Sequence, residues 1–472
     1  MTSTSLVPSA RTAMLLGLLV AVAFMIRVDA LRNAAPPVPV FGDGHNYHVL
    51  AQNLADGKGY IRPIDFERAG HRVPTAEYPP ALPALLAVGD RLGVQGETGQ
   101  RALLCLVGAV TVGLTGLIGR RLAGDGAGLL AAALAAVHPA LVNNDVSLAA
   151  EPLAACLGAG VLLGALAVWD RPTRLRWAVL GGVLGVGALV RAEFLLLVPI
   201  LLGALAWHHR GHPETVSVKD TDTSDARSGR RWSAAAVGVV AALAVLAPWT
   251  IRNAVTFGRF VPVSNNLGSV LRGANCDLAY NGQFKGLWVT NVGAGAASTV
   301  DPSGACFSGF PIRRGVNEAG AAAELRANGV SYLRQHAGEV PAVVAARLGR
   351  TVGLYRFDQQ AGFAAVEGRD PTRERRGTRA FQFLAVIGLA GLAAGGWRRR
   401  ERLLPLAVLG AVLVTVAVTY GNPRFRSTAE PAVVVLAAVA MVDAWRCVGR
   451  LSSRPGSARI GRGRAGSVEP HA

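Results

Sequence analysis

Residues 13–26 read AMLLGLLVAVAFMI, an uninterrupted apolar run between Arg11 and Arg27. No clear small-residue cleavage site follows, so we interpret the run as an uncleaved membrane span, not as a signal peptide. Further apolar runs of roughly 14 to 20 residues follow along the chain, and such runs are typical of helices that cross a bilayer. The sequence predicts an all-α polytopic membrane protein with about ten transmembrane helices. We place these near residues 13–31, 101–119, 127–142, 152–168, 177–190, 194–207, 232–250, 380–397, 403–419 and 431–447.

Composition supports this fold class. Of the 472 residues, 51% are hydrophobic and 17% are charged, whereas soluble domains carry about 25% charged residues. This excludes a disordered chain and argues against a soluble cytosolic enzyme. The net charge of +18 does not indicate nucleic-acid binding, because the arginines cluster in short segments between apolar runs, as in cytoplasmic loops.

The arginine distribution also predicts orientation. Basic clusters follow alternate spans, so we expect a multi-pass protein of the cell membrane with both termini in the cytoplasm. The segment His208–Arg231 is predicted to be a flexible cytoplasmic loop. The predicted units are a transmembrane catalytic module (1–250, with the first outer loop at 32–100), a large outer region (251–379), C-terminal transmembrane helices (380–447) and a basic cytoplasmic tail (448–472).

The two outer regions contain helical patterns of their own. The stretch Pro79–Val88 is too short to span a bilayer and is predicted to be a juxtamembrane helix. In the large outer region, Asn317–His336 has a helical pattern. The apolar stretch Val340–Tyr355 carries two arginines, Arg347 and Arg350, and is predicted to be an interfacial helix.

Two of the five cysteines, Cys276 and Cys306, lie in the large outer region, and the other three fall in apolar runs. An outer compartment that is oxidising permits a disulfide. We therefore expect Cys276 and Cys306 to be bonded.

The first outer loop contains the sequence motifs that point to chemistry. It reads FGDGHNYH at residues 41–48, LADGKGY at 54–60 and TAEYPPALP at 75–83. If Gly44–Ala55 forms a helix, Asp43 occupies its N-cap, where an acid is favoured. Asp43 is therefore either a cap or a functional carboxylate. Glu151 has the same two interpretations, since an acid at a helix start also complements the helix dipole.

The order and placement of these motifs resemble the membrane glycosyltransferases with the C-type fold, in particular the protein O-mannosyltransferase and aminoarabinose-transferase superfamily. The resemblance covers about the first two hundred residues and, more loosely, the rest. It implies that Asp43 is the catalytic base, that Glu77 is the acid before Pro-Pro, and that Glu151 is a second outer acid. The sequence departs from the family's pattern at Gly44, where a second acid is common, and at Tyr78, where the family has a basic residue.

Transfer of a sugar from a lipid phosphate needs a base for the acceptor hydroxyl and cations for the leaving phosphate. Ionisable residues at membrane depth are candidates for function by default. The candidate phosphate ligands are Arg191, Arg252 and Arg424. Arg191 could instead pair with Glu193, and Arg252 could anchor the interface with Trp249.

Tyr47 and His48 are candidates for substrate binding, since they follow Asp43 closely. His45, His48, His71 and Glu77 could also form a divalent-metal site with Asp43, although their spacing fits no established metal motif. The sequence requires no cofactor.

We therefore expect a glycosyltransferase that moves a hexosyl or pentosyl group from a polyprenyl-phosphate donor to an acceptor hydroxyl on the outer face of the membrane. Membrane lipid and the lipid-linked sugar are the expected partners; nucleic acid is not, and the oligomeric state is left open. One alternative is a transporter or flippase of a lipid-linked or anionic substrate. Another is a non-catalytic assembly partner in envelope biosynthesis.

Overall fold

The computed structural model describes residues 8–34, 36–39, 42–209, 224–289, 306 and 316–452. These residues form α-helices and short 3₁₀ turns, and no β-strand occurs among them apart from an isolated bridge between Ile61 and Pro74. The predicted all-α class is confirmed. Much of the predicted loop at 208–231 and most of the basic tail lie outside the described residues.

The helices are numbered in chain order. The N-terminal ten are α1 (Ala10–Ala34), α2 (Asp43–Ala55), α3 (Pro63–Ala69), α4 (Ala81–Arg91), α5 (Gly96–Ala123), α6 (Asp125–Val137), α7 (Pro139–Asp145), α8 (Glu151–Asp170), α9 (Arg174–Ala188) and α10 (Phe194–His208). The others are α11 (Ser224–Phe257), α12 (Leu267–Ala274), α13 (Asp277–Tyr280), α14 (Glu318–Gln335), α15 (Val340–Val352), α16 (Phe357–Phe363), α17 (Pro371–Ala393), α18 (Leu404–Val418) and α19 (Glu430–Ser452).

All ten predicted spans correspond to helices, but the count of ten transmembrane helices is not confirmed. Among the described residues, six helices are long and apolar enough to cross a membrane, or seven if one bent pair counts as a span. The chain is therefore a multi-pass membrane protein. The six lie within α1, α5, α8, α11 and α19 and over the range Arg400–Val418.

The predicted single span at 127–142 is not one continuous helix. It is two helices, α6 and α7, bent by 56° at His138. Pro139 causes the break, because a proline disfavours the helical conformation of the residue before it and lacks the amide hydrogen that would continue the ladder.

The predicted loop ending at Arg231 is also wrong at its end, because α11 already begins at Ser224. Serine and aspartate, which stand at 224 and 225, are favoured residue types at a helix start.

Small residues let the membrane helices approach closely. A Cβ added to Gly119 of α5 would lie 2.8 Å from the Ala127 carbonyl oxygen of α6. At Gly181 of α9 it would collide with the backbone of Gly238 in α11. Close backbone approach of this kind is how helices gain packing contacts in lipid.

The helices predicted for the two outer regions form close to the predicted residues. The stretch predicted to be a juxtamembrane helix is α4, and the helical pattern at Asn317–His336 is α14, whose N-cap Asn317 accepts a bond from the Gly320 amide at 2.9 Å. The predicted interfacial helix is α15, but its two arginines are buried, not interfacial. The reason is that they donate to backbone carbonyls: Arg347 to Ala274 at 2.6 Å and Arg350 to Lys285 at 2.7 Å.

Cys276 and Cys306 form a disulfide in the structure, with their Cα atoms 5.3 Å apart. Their 30-residue separation means that the bond closes a long loop of the outer region.

Candidate active site

The site is built around Asp43, the first residue of α2. The interpretation of Asp43 as an N-cap is wrong: Gly42 occupies the cap position, and no side chain caps this helix. The next residue is Gly44, and the start of the helix packs too tightly at this point to admit a larger side chain without a shift. A Cβ at Gly44 would lie 3.0 Å from the Leu148 carbonyl oxygen and 3.1 Å from Val38 Cγ1. A second acid at this position would therefore need the neighbouring backbone to shift.

The Asp43 carboxylate is held by two donors from distant parts of the chain. The Tyr78 hydroxyl donates to Oδ1 at 3.1 Å, and Arg424 Nη1 donates to Oδ2 at 2.8 Å. Burial raises the pKa of Asp43, but the charge of Arg424 and the two hydrogen bonds outweigh burial, so the pKa lies below its usual value. The carboxylate is therefore ionised at neutral pH, and its side chain is still 39% exposed.

Arg424 connects Asp43 to two further carboxylates. It lies in the 3₁₀ segment Pro423–Thr428 between α18 and α19. Its Nε lies 3.8 Å from Glu151 Oε1, and its Nη1 lies 3.8 Å from Glu367 Oε1. Nη2 donates to the Tyr420 hydroxyl at 3.1 Å. The buried Nε makes no hydrogen bond.

Arg191 forms the second cationic centre. It lies in the turn between α9 and α10, and it donates to Glu151 at 2.8 Å and to Glu193 at 2.6 Å. The predicted pairing with Glu193 therefore exists, but the guanidinium also reaches the site through Glu151. The guanidinium of Arg191 also lies 4.9 Å from the centre of the ring of Phe425, the residue that follows Arg424.

Glu77 lies beside this group without a direct contact to it. Its side chain is exposed, while the next residue, Tyr78, donates to Asp43. The surrounding protein raises the pKa of Glu77 to about 7, and the nearby carboxylate of Glu318 adds to the rise. Tyr47 is buried, and its ring packs edge-on against Tyr78 with centroids 5.0 Å apart.

The other predicted residues lie elsewhere. His48 bonds to Gln100 at 2.9 Å, His45 bonds to Glu67 at 3.0 Å, and His71 is exposed. Arg252 donates to the carbonyls of Thr75 at 2.7 Å and Tyr60 at 3.1 Å. Its guanidinium also lies 4.9 Å from the Trp249 ring, as in the anchoring alternative.

Sequence reasoning missed Glu367 and Tyr420 as site residues. Glu367 accepts a bond from Asn422 at 2.7 Å and is also bonded to Arg369. No signal in the sequence marks Glu367, which is the last residue of the 3₁₀ turn Ala365–Glu367 and has no motif around it. Tyr78 appeared only as a departure from a family pattern, although it makes a direct contact with Asp43.

The site does not fit a divalent cation. Within the part of the chain that the structure describes, no group of three or more His, Cys, Asp or Glu side chains could hold one. The Arg424 guanidinium lies among Asp43, Glu151 and Glu367, where a cation would otherwise sit.

With this geometry established, the chain can be compared with known proteins. Residues 77–219 match the family described as dolichyl-phosphate-mannose-protein mannosyltransferase. The archaeal oligosaccharyltransferase AglB from Archaeoglobus fulgidus, solved with an inhibitory peptide and a dolichol-phosphate, is 14% identical over 95% of this chain and 53% of its own, with a TM-score of 0.50. A structure of the same archaeal enzyme tethered to an acceptor peptide is 14% identical over 92% of this chain and 50% of its own, with a TM-score of 0.51.

The chain has the C-type glycosyltransferase fold. The predicted resemblance is thereby confirmed for the fold, and for residues 77–219 it is also confirmed by the family match. This C-type chain spans about half the length of the archaeal proteins. ArnT from Cupriavidus metallidurans, solved with undecaprenyl phosphate, is 14% identical over 94% of this chain and 80% of its own, with a TM-score of 0.40. No curated protein matches the chain in sequence.

Proposed function

We propose that this protein transfers a sugar from a polyprenyl-phosphate donor to an acceptor hydroxyl at the outer face of the cell membrane, with both termini in the cytoplasm. One observation carries the proposal: the Asp43 carboxylate and the guanidinium of Arg424 lie in direct contact, 2.8 Å apart, and Arg191 is joined to them through Glu151. A base and two phosphate-binding groups are what this transfer needs in one place.

The chemistry follows from these groups. The acceptor O–H donates to Asp43, which takes the proton as the acceptor oxygen attacks the anomeric carbon. The bond from that carbon to the phosphate oxygen breaks, and its electron pair leaves with the phosphate. The resemblance to C-type enzymes favours a single inverting displacement. The lipid phosphate leaves with the polyprenyl chain, whose natural place is among the apolar helices.

Arg424 is the group that we expect to change partners. In the structure it is bound to Asp43, which lowers the pKa of that carboxylate and makes it a weak base. When a donor phosphate binds and Arg424 turns toward it, the carboxylate regains basicity. Base strength would then depend on the donor being present.

The remaining site carboxylates have supporting roles in this proposal. Glu151 orients both arginines, since Arg191 donates to it at 2.8 Å and Arg424 Nε lies 3.8 Å away. Glu77 is exposed beside Asp43 and is placed to bind the acceptor. Tyr47 lies on the same side of α2 as Asp43 and encloses the site.

The test begins with the product. Mass spectrometry of envelope glycans and glycoproteins, with and without the protein, identifies the sugar and its acceptor. Asp43→Asn should then lower the transfer rate by roughly 10²- to 10⁴-fold, because an amide cannot take the proton. Asp56→Asn is the matched control, since Asp56 immediately follows α2 and its side chain is 55% exposed. It should transfer at the normal rate.

Three outcomes would contradict the proposal. If Asp43→Asn transfers like the native protein, Asp43 is not the base. If no glycan differs in the absence of the protein, but a lipid-linked sugar accumulates on one face of the membrane, the transporter alternative holds. If the glycan is lost in the absence of the protein and the Asp43→Asn variant restores it fully, the non-catalytic assembly partner is favoured.

A further inference from the structure

Glu318, at the start of α14, accepts an unusually complete set of hydrogen bonds. Its Oε2 accepts from Arg62 Nη2 at 2.9 Å and from the Thr75 hydroxyl at 2.7 Å. Its Oε1 accepts from the Ala76 amide at 2.7 Å and from Asn265 Nδ2 at 2.9 Å. The side chain is 12% exposed. One carboxylate of the large outer region therefore fixes the first outer loop at Thr75 and Ala76.

Two more contacts fix the same stretch of loop. The Asn265 amide donates to the Ala76 carbonyl at 2.8 Å, and Arg252 joins the carbonyls of Thr75 and Tyr60. Arg252, a predicted phosphate ligand, has both terminal nitrogens bonded in this way. The stretch at 75–76 has little freedom to move.

This stretch leads directly to the site. Tyr78, two residues after Ala76, is 8% exposed. Its backbone carbonyl accepts from the Tyr60 hydroxyl at 3.0 Å, and its own hydroxyl donates to Asp43 Oδ1 and accepts from Asn46 at 3.2 Å. Tyr78 is thus held by hydrogen bonds at both its backbone carbonyl and its side-chain hydroxyl.

We propose that Glu318 is a positioning residue: it holds Thr75 and Ala76 so that Tyr78 directs its hydroxyl at Oδ1 of Asp43. This inference rests on the proposed function. Oδ2 then has Arg424 as its partner and becomes free to accept the acceptor proton when Arg424 turns to a phosphate. Without Tyr78 in place, the carboxylate would rotate instead of presenting Oδ2.

The consequence is measurable as a pH profile. The hydrogen bond from Tyr78 favours the ionised form of Asp43 and contributes to its lowered pKa. Losing it should raise that pKa and move the acidic limb of the rate profile to higher pH. The charged and titratable groups that face Asp43 are Arg424, Arg191, Glu77, Glu151, Glu367, Tyr47, Tyr78 and Tyr420.

Of these groups, Glu77 has a pKa raised to about 7, and this pKa responds to Glu318 in the opposite sense. The carboxylate of Glu318 raises the pKa of Glu77, so removing that charge should lower it. A movement of the acidic limb to higher pH therefore reports Asp43, and a movement to lower pH reports Glu77.

The experiment compares Glu318→Gln, Tyr78→Phe and the double variant in the full-length protein. The probe is a total extract of radiolabelled polyprenyl-phosphate sugars from the source membranes. Each single variant should move the acidic limb of the transfer profile up by roughly one pH unit. The double variant should move it no further, because both changes remove the same hydrogen bond. An unmoved limb, a limb at lower pH in Glu318→Gln, or additive shifts would overturn the inference.

A second measurement does not depend on transfer. Hydrogen exchange should speed up at the amides of residues 75–78 in Glu318→Gln, and to a smaller degree in Asn265→Ala, which removes one of the four donors. Unchanged exchange in both variants would overturn the inference even if the protein is active. Native-like transfer by Asp43→Asn, with faster exchange in Glu318→Gln, would instead reject the proposed base and leave the Glu318 contacts intact.

Discussion

Two regions of this molecule fix the same site by different physical means. The buried charge network consists of His138, Glu430, Arg426, Glu374, Arg369, Glu367 and Arg424. The outer hydrogen-bond network consists of Glu318, Arg62, Thr75, Ala76 and Asn265. The first alternates acidic and basic side chains, most of them buried, and the second binds one carboxylate mainly through neutral donors.

The charges of the buried network depend on one another. Arg426 is 1% exposed, lies 3.1 Å from Glu430 and 3.9 Å from Glu374, and also donates to the Thr351 carbonyl at 2.9 Å. Removing one member leaves a buried charge with little compensation. In the outer network Arg62 is 30% exposed, so water can replace a lost partner. The first network should thus determine whether the protein folds, and the second how the site is aligned.

The largest effect should come from Arg426→Met. The change leaves Glu430 without its closest cation in a site closed to water, and breaking a buried ion pair in this way costs about 3–5 kcal/mol. We expect a strong loss of folded protein, measured as the monodisperse yield and the thermal midpoint in detergent.

Arg375→Met is the matched control, because it makes the same substitution at an exposed pair. Arg375 is 41% exposed, and its partner Asp358, 3.1 Å away, is 82% exposed. Such pairs contribute about 0–1 kcal/mol. Equal stability of the two variants would show that the buried network does not carry the fold.

A smaller effect is expected from the disulfide of the outer region. The double change of Cys276 and Cys306 to serine frees a loop of 30 residues in the unfolded chain, and losses of about 2–4 kcal/mol are typical. The thermal midpoint should fall less than in Arg426→Met. Cys447→Ser, at an exposed free cysteine, should leave it unchanged. If the double serine variant melts like the native protein, the bond does not stabilise the outer region.

The comparison also explains what could be predicted from the sequence. Apolar periodicity identified the helices of both regions, because hydrophobic runs are local. The position of Asp43, Glu151, Arg191 and Arg424 at the ends of such runs identified them as site candidates, and the structure brings these four together. The contacts among them could not be predicted from the sequence, since Asp43 and Arg424 lie 381 residues apart.

The positions of Tyr47, His45 and His48 relative to Asp43 could have been predicted from the sequence. A helix turns by about 100° per residue, which places Tyr47 about 40° from Asp43 around α2 but His48 about 140° and His45 about 160° away. Helix geometry alone therefore favours Tyr47 over the two histidines as a neighbour of Asp43. Glu318 and Glu367 could not have been found in this way, because their roles depend on contacts with loops distant in sequence.

The smallest effect should appear at Glu77, which lies next to both networks. Its pKa is raised to about 7 by the surrounding protein and by Glu318, whereas the unfolded chain has a value near 4.3. Between these two values the folded state binds more protons than the unfolded state, so stability falls as the pH rises and is constant above about pH 7.

Glu77→Gln cannot titrate and avoids this loss. Its melting curve should match the native protein near pH 4.5, and it should be more stable above pH 7 by at most about 0.5 kcal/mol, since the side chain is exposed. Thermal midpoints of both proteins from pH 4.5 to 8 test this. Parallel midpoints at every pH would mean that Glu77 does not titrate there. A variant that is less stable than the native protein above pH 7 would mean that the pKa of Glu77 is lowered, and the influence of Glu318 on the site loop would then have to act through geometry alone.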